Sequence, residues 1–178
     1  MSKALGSKYS IETSSESKEY FEFVKDLLDD EVVSQMKNFT HHYSTTRYQH
    51  CINVSYYNYL VCRKLGLNSR SAARAGMLHD LFLYDWREVP KKRGDLPHGM
   101  KHPKVALENA EQYFELGKRE KDMIERHMWP LTVKFPKYAE SYVIVVIDKY
   151  TAMLELGTHC GRKLRSFTKN ISRKHNTI

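Results

Sequence analysis

Apolar residues along the first half of the chain recur at helical spacing and are separated by residues that end helices. A first apolar face consists of Tyr20, Phe23, Val24, Leu27 and Leu28. A second helix is predicted from about Arg47 to Leu65, followed by Gly66, a residue that tolerates positive φ. Asn68 or Ser69 can cap a third helix, which is built on small residues.

The second half of the chain contains a loop followed by three more helical segments. The loop, Arg87 to Lys101, is broken by prolines and glycines. Helices are predicted from Pro103 to Gly117, from Arg119 to His127 and from Lys137 to Leu156. Only the run from Tyr142 to Ile147 is ambiguous between helix and strand. Without an internal repeat or an interdomain linker, the pattern predicts an all-α fold, a single-domain helical bundle.

The two ends of the chain differ in composition from the part between them. Residues 1–17 are polar and serine-rich and are expected to form a flexible arm, whereas residues 18–160 form the folded domain. Residues 161–178 form a tail with six basic side chains and no acidic one, so the tail supplies most of the net charge of +8. Such a tail could contact nucleic acid or another polyanion. We favour the simpler interpretation of a solvated, partly disordered terminus.

The composition also bears on the cellular compartment. No apolar run is long enough to span a membrane and no secretory signal precedes the first helix, so a cytoplasmic protein without membrane contact is expected. The three cysteines, Cys51, Cys62 and Cys160, include no CxxC pair, which argues against a disulfide framework or a thiolate zinc site. We interpret them as reduced packing residues.

Residues able to bind metal fall on apolar helix faces, where polar groups are costly. Asp148 shares its face with Ile144 and other apolar residues. A buried carboxylate needs a basic partner or a metal ion, and either interpretation fits Asp148 taken alone. His50 shares a face with Val54 and Val61, although a lone inward histidine is usually a hydrogen-bonded core residue.

Four further residues extend this pattern to other segments. His79 and Asp80 are adjacent at the end of the helix of small residues. His127 lies on an apolar face, and His102 stands at a predicted helix start. Together these six residues exceed what core packing requires. Imidazole and carboxylate ligands without thiolate suit Fe, Mn, Zn, Co or Ni, and such an ion can activate water and polarise a phosphoryl oxygen for phosphoester hydrolysis.

The order of these residues resembles the motif order of the HD superfamily of metal-dependent phosphohydrolases. The resemblance covers the chain from about residue 47 to residue 154. The HD doublet alone is a weak signal, whereas the ordered set with these spacings is specific. The matching segments are Arg47-Tyr-Gln-His50, Ala72-Ala-Arg-Ala-Gly-Met-Leu-His79-Asp80, His102-Pro-Lys-Val-Ala106, Glu125-Arg-His127 and Val146-Ile-Asp148-Lys149.

The resemblance implies an HD-type bundle with the metal site in its core and one or two divalent transition metal ions. One ion would be bound by His50, His79, Asp80 and Asp148. A second would be bound by His102 and His127 together with Asp80 as a bridging ligand, and the intact set favours two ions. Similarity to the small HD enzymes that split dinucleoside tetraphosphates implies a phosphohydrolase. Its partner would be a small phosphorylated substrate: a nucleotide, a dinucleoside polyphosphate or another small phosphate ester.

The chain departs from the family pattern after the doublet, where many relatives have the sequence HD-x-G-K. That lysine is absent here, so another cation must bind the substrate, and the candidates are Arg47, Lys104 and Lys149. Asp80 and His98 are the catalytic candidates. His98 lies on the loop and is either a general acid for the leaving oxygen or an exposed loop histidine.

Residues outside the motifs receive simpler interpretations, and two other functions stay open. His41, His42 and His159 are expected at the surface. The first alternative function is an HD-fold di-iron oxygenase, which uses a similar ligand set to activate oxygen. The second is a non-catalytic, metal-stabilised binding module that holds metal but releases no phosphate.

Overall fold

The described part of the chain is built from helices alone. The structure is a computed structural model that describes residues 3–5, 17–41, 45–90 and 93–175. Within these ranges it contains no strand, which confirms the predicted all-α fold. The helices are α1 (Lys18–Leu28), α2 (Glu31–Gln35), α3 (Arg47–Lys64), α4 (Ser69–Leu78), α5 (His98–Tyr113), α6 (Lys118–Arg126) and α7 (Ala139–His175), with a short 3₁₀ turn, Met36–Asn38, after α2.

Side-chain caps and a glycine set the ends of the first helices. The Asp30 carboxylate accepts hydrogen bonds from two backbone N–H groups in the first turn of α2. Thr46 caps α3 in the same way through Gln49 N–H, and Asn68, not Ser69, caps α4. Gly66 follows α3 with φ +68°, a conformation that costs glycine little because it has no Cβ.

Several predicted boundaries are wrong. Helix α5 begins at His98 instead of Pro103, because Pro97 already supplies the helix entry and Pro103 lies inside the helix. The segment Tyr142–Ile147 is helical. Helix α7 continues to His175, well beyond Leu156, so the backbone of most of the basic tail is helical. Lysine and arginine are good helix formers, which explains why the basic composition does not end the helix.

The short described stretch at the N-terminus lies against α3. Ala4 is buried, Leu5 N–H donates to Asn53 Oδ1 at 2.9 Å, and Gln49 Nε2 donates to the Lys3 carbonyl at 2.9 Å. These contacts hold residues 3–5, near the start of the predicted flexible arm, against α3. The greater part of that arm, residues 6–16, lies outside the described residues, so the flexible arm stays a prediction.

The structure shows the burial of the three cysteines and the character of the longer helices. Cys51 and Cys62 are free and buried, as predicted, whereas Cys160 is free and exposed, so the packing interpretation is wrong for Cys160. None of the helices in the described ranges combines the length and the apolarity needed to cross a bilayer.

The core is centred on α3, which packs chiefly against α4 and α7. Small residues bring α4 close: Ser55 Oγ of α3 donates to the Ala73 carbonyl at 2.6 Å, and Asn58 Nδ2 donates to the Ala72 carbonyl at 2.9 Å. A Cβ atom on Gly76 would lie 2.5 Å from the Ser55 Cα. This close approach places the end of α4, with residues 79 and 80, deep in the bundle.

We expect Gly76→Ala to lower the free energy of unfolding by about 3 kcal/mol, the upper part of the range for overpacked cores. The new methyl group would meet backbone atoms of α3, which cannot rotate away as a side chain can. Urea denaturation followed by circular dichroism measures the effect. Gly157→Ala is the control, because a Cβ there meets nothing within 4 Å and should stabilise the helix by about 0.5–1 kcal/mol. Equal stabilities for the two variants would contradict the close packing.

Candidate metal centre

The six residues predicted to bind metal lie close together between five helices. His50 comes from α3, His102 from α5 and Asp148 from α7. His79 and Asp80 directly follow α4, and His127 directly follows α6. All except Asp148 are buried, and the Asp148 side chain is only 14% exposed. The helical pattern thus brings together side chains that are far apart in sequence.

A first group of ligand atoms surrounds Asp148. Its Oδ1 atom lies 3.1 Å from His50 Nε2 and 3.7 Å from His79 Nε2. His79 Nε2 is also 3.8 Å from Asp80 Oδ2. One ligand atom from each of His50, His79 and Asp148 lies within 4.8 Å of the others, which is compact enough for one ion.

A second group of ligand atoms surrounds the other oxygen of Asp80. Asp80 Oδ1 lies 3.1 Å from His102 Nε2 and 3.6 Å from His127 Nε2. His79, Asp80 and His127 also form a compact set of ligand atoms. Because Oδ2 of Asp80 faces the first group and Oδ1 the second, this carboxylate has the geometry of a bridging ligand.

Hydrogen bonds at Nδ1 orient three of the imidazoles. His79, His102 and His127 each place Nδ1 within 2.8–3.1 Å of a backbone carbonyl one turn earlier in the chain. A carbonyl can only accept, so Nδ1 carries the proton and Nε2 is directed at the centre. Metal-binding histidines are commonly oriented in this way by a hydrogen bond at the other ring nitrogen.

The polar atoms at the centre are better placed to bind a cation than to form hydrogen bonds with one another. His102 Nε2 and His127 Nε2 face each other at 2.8 Å although both rings hold their proton on Nδ1. Burial, followed by the nearby imidazoles, lowers the pKa of His127 to about 3, so this ring is neutral at neutral pH. The buried atoms His79 Nε2 and Asp80 Oδ1 have no hydrogen-bond partner. A divalent cation, which would replace any proton on the Nε2 atoms, could bind all four of these atoms.

The two carboxylates are ionised and therefore able to bind metal. Burial alone would raise the pKa of Asp80, but the imidazoles of His79 and His102 hold it well below its ordinary value. Burial also acts against ionisation of Asp148, and the nearby imidazoles of His50 and His79 likewise hold its pKa well below the usual range. The net result is two charged carboxylates among four buried imidazoles, and one of these imidazoles, His50, lies beside a third carboxylate.

That third carboxylate, Glu155, is a site residue that the sequence interpretation missed. It is buried on α7, its Oε1 atom lies 3.1 Å from His50 Nδ1, and it accepts a hydrogen bond from Asn53 Nδ2 at 2.9 Å. Burial lowers the pKa of His50, but Asp148 and Glu155 outweigh it and raise the pKa to about 10. A signal was available, since Glu155 follows Asp148 by two helical turns and so shares its face.

We expect Glu155→Gln to weaken metal binding by about 10–100-fold, the usual cost of losing a partner that orients a metal-binding histidine. The amide keeps the shape of the side chain but removes the charge opposite His50 Nδ1. Titration of the metal-free protein with zinc or manganese measures the affinity. Glu140→Gln is the control, because Glu140 is a buried carboxylate that binds Arg119 at 2.9 Å, outside the metal groups. An equal loss of metal affinity in both variants would show that removing any buried carboxylate weakens metal binding.

His41 is the second residue missed. Its ring stacks on His50 with 3.9 Å between ring centroids, and its Nδ1 atom lies 3.5 Å from Asp80 Oδ2. The surface prediction is therefore wrong for His41. His41 lies between helices, so no helical periodicity could have indicated its direction. His42 lies outside the described residues, and His159 is half-buried on α7, away from these groups.

An open cavity of about 750 Å³ has the candidate metal centre at its floor. Asp80, His102, His127 and Asp148 line it, and His41 also reaches it. Lys149 lies beside them and donates to the carbonyls of Val145 at 3.2 Å and His127 at 3.4 Å. A substrate entering the cavity can therefore reach both groups of ligand atoms.

The structure places two of the three predicted substrate-binding cations outside the cavity lining. Arg47 is fully buried, with its guanidinium 3.6 Å from the Phe82 ring centroid, and it donates to the carbonyls of Phe82 and Tyr84. It holds the segment after the HD doublet in place instead of facing the cavity. The Lys104 side chain is 78% exposed and pairs with Glu108 at 3.6 Å outside the cavity. Lys149 alone of the three lines the cavity.

His98 lines the cavity from the first turn of α5. Its ring stacks on Trp86 with an interplanar angle of 8° and on His102 with an angle of 25°. Burial, followed by the nearby His102 imidazole, lowers the pKa of His98 to about 4. This shift disfavours the protonated imidazole that a general acid needs, and the general-acid role of His98 stays a prediction. The surface interpretation fails, because His98 is half-buried.

Fold and site together define an all-α protein built around a histidine and carboxylate metal centre. The HD domain family model matches residues 47–153, and the chain belongs to the HD domain family. Comparison with solved structures gives no match. HD domains bind divalent metals and are typically hydrolases, so family membership indicates metal-dependent, hydrolase-type activity.

Proposed function

We propose that this protein is a metal-dependent phosphohydrolase that acts on a small phosphate ester. The observation that carries the proposal is the bridging position of Asp80, between two groups of imidazoles, at the floor of an open cavity. Two ions placed a few ångströms apart can contact both the attacking and the leaving oxygen of a phosphoryl group. A single structural ion would not require the second group of ligand atoms, which surrounds Asp80 Oδ1.

The residues divide into two ligand sets. The first ion would be held by His50, His79, Asp80 and Asp148, and the second by Asp80, His102 and His127, with His41 in reach of Asp80. Bound there, divalent ions supply Lewis acidity that activates water and polarises a phosphoryl oxygen. Zinc, manganese, iron, cobalt and nickel all suit imidazole and carboxylate donors.

Other side chains of the cavity would bind and orient the substrate. Lys149 lines the cavity next to Asp148 and would attract phosphate oxygens. Glu155 would keep His50 oriented, and the stacked ring of His98 would exclude water from one side of the floor. In the reaction, the oxygen of water bonds to phosphorus and the ester P–O bond breaks. A proton from water passes to the leaving oxygen.

Elemental analysis of the purified protein, combined with a phosphate-release screen, tests the proposal. The screen should cover nucleotides, dinucleoside polyphosphates and simple phosphate esters, each with zinc, manganese or iron supplied. We expect bound metal and phosphate release from at least one class of ester. Bound metal without release from any ester would indicate a binding module instead. Iron-dependent oxygen uptake without phosphate release would indicate an oxygenase.

A further inference from the structure

The walls of the cavity above the metal-binding floor are almost entirely apolar and aromatic. The residues that give them this character include Phe82, Tyr84, Trp86, Val89, Leu96 and Met128. Away from the floor, the charged side chains among the described wall residues are Asp95, Lys101 and Lys149. Asp95 and Lys101 neutralise each other at 3.3 Å, so this part of the wall has little net charge.

The aromatic side of the wall is held in place before any ligand binds. Trp86 and His98 stack with 5.2 Å between ring centroids, and His98 and His102 stack at 4.9 Å. The Arg87 guanidinium lies 4.9 Å from the Trp86 ring centroid and donates to the His41 carbonyl at 2.7 Å. This column of rings therefore runs from the wall to the floor, and a rigid wall saves the cost of ordering it on binding.

The chemistry of the wall limits what the organic part of a substrate can be. Beyond the phosphate held at the metal-binding floor, a polyphosphate needs further cations, but the described wall offers Lys149 and one neutralised lysine. A strongly polar group against apolar side chains would lose hydrogen bonds to water without replacement. An apolar group of one or two rings would gain from burial there, and a cavity of about 750 Å³ has room for it together with a phosphate.

We infer that the substrate is a phosphate monoester of a bulky apolar alcohol, with its phosphate at the metal-binding floor and its organic part against Trp86 and Leu96. This inference rests on the proposed phosphohydrolase function. Water adds to phosphorus, the bond from phosphorus to the ester oxygen breaks, and that oxygen receives a proton. The products are inorganic phosphate and the free apolar alcohol.

Steady-state kinetics on the metal-loaded protein tests the preference. We expect kcat/KM for 2-(1-naphthyl)ethyl phosphate to exceed that for glycerol 1-phosphate by about 10–100-fold, the range that follows from burying an aromatic group, since both are esters of alkyl alcohols. Adenosine 5′-monophosphate and diadenosine tetraphosphate should both be poorer substrates than the naphthyl ester. Equal or better hydrolysis of glycerol phosphate or of either nucleotide would overturn the inference while leaving the phosphohydrolase function intact.

A pair of leucine and valine variants tests the position of the organic group. Leu96 is 56% exposed, so Leu96→Ala should fold normally, and it should raise KM for 2-(1-naphthyl)ethyl phosphate several-fold more than KM for glycerol phosphate. Val133→Ala is the control, because Val133 is 84% exposed and does not line the cavity. Unchanged kinetics in Leu96→Ala would place the organic group elsewhere and overturn the inference.

A binding experiment with ligands that cannot be hydrolysed distinguishes a failure of this inference from a failure of the proposed function. The chain has two tryptophans, Trp86 in the cavity and Trp129 against Phe135 and Tyr142. Benzylphosphonate, which cannot be hydrolysed, should change the tryptophan fluorescence of the wild type and of Trp129→Phe but not of Trp86→Phe. Methylphosphonate should bind more weakly. A response to benzylphosphonate with no hydrolysis of any ester would support the apolar site but not the phosphohydrolase; equal binding of both phosphonates would overturn the apolar site.

Discussion

Asp80→Asn is expected to lose most of its bound metal and to lower phosphate release by more than about a hundredfold. Asp80 presents one oxygen to each group of imidazoles, so its replacement weakens both ion sites at once. Loss of a mere orienting partner already costs about 10–100-fold, and a bridging ligand should cost more. Asparagine has nearly the same shape, so the bundle should stay folded. Elemental analysis and the phosphate-release assay provide the two measurements.

The control for this variant is Asp95→Asn, which removes a carboxylate from the cavity wall outside the two ligand groups. We expect it to retain the full metal content. If Asp80→Asn kept both metal and activity, the assignment of the centre would be wrong. If both variants lost metal equally, the effect would come from the charge of the cavity and not from coordination.

His127→Ala is expected to lower the bound metal by about one ion per chain and leave the other in place. His127 contributes to the second group, 3.6 Å from Asp80 Oδ1 and 2.8 Å from His102 Nε2, whereas His50, His79 and Asp148 of the first group stay intact. Without the second ion, hydrolysis should fall strongly, because one contact to the reacting phosphoryl group is lost.

Metal counting by elemental analysis decides the outcome for His127→Ala, with His159→Ala as a control in a histidine outside the centre. The control should match the wild type. An unchanged metal count in His127→Ala would reject the two-ion arrangement, and loss of all metal would show that the two groups form a single cooperative site.

Helical periodicity was sufficient to predict the direction of most of these residues. His50 and Asp148 share faces with apolar neighbours, and a helix that packs on a core must direct such a face inward. The sequence therefore predicts which side chains point to the centre. It does not predict their mutual distances, which depend on how closely the helices approach, as at Gly76 and Ser55.

Contacts between distant segments explain most of what the sequence did not reveal. His41 reaches the centre from a segment between helices, where no repeating pattern indicates direction. Arg47 has the charge expected of a phosphate-binding residue, yet tertiary packing uses that charge to hold two backbone carbonyls. A charge alone cannot show whether its partner is a ligand or the protein's own backbone.

The pairing of His50 with Asp148 joins residues separated by 98 positions. An ion bound between them would close a loop that includes most of the folded chain. Bringing the ends of so long a loop together costs the unfolded chain much entropy, so the ion would bind the native state far better. Any ion that binds only the native centre adds stability in proportion to the logarithm of its free concentration. The cellular supply of metal would therefore govern the lifetime of the folded chain as well as its chemistry.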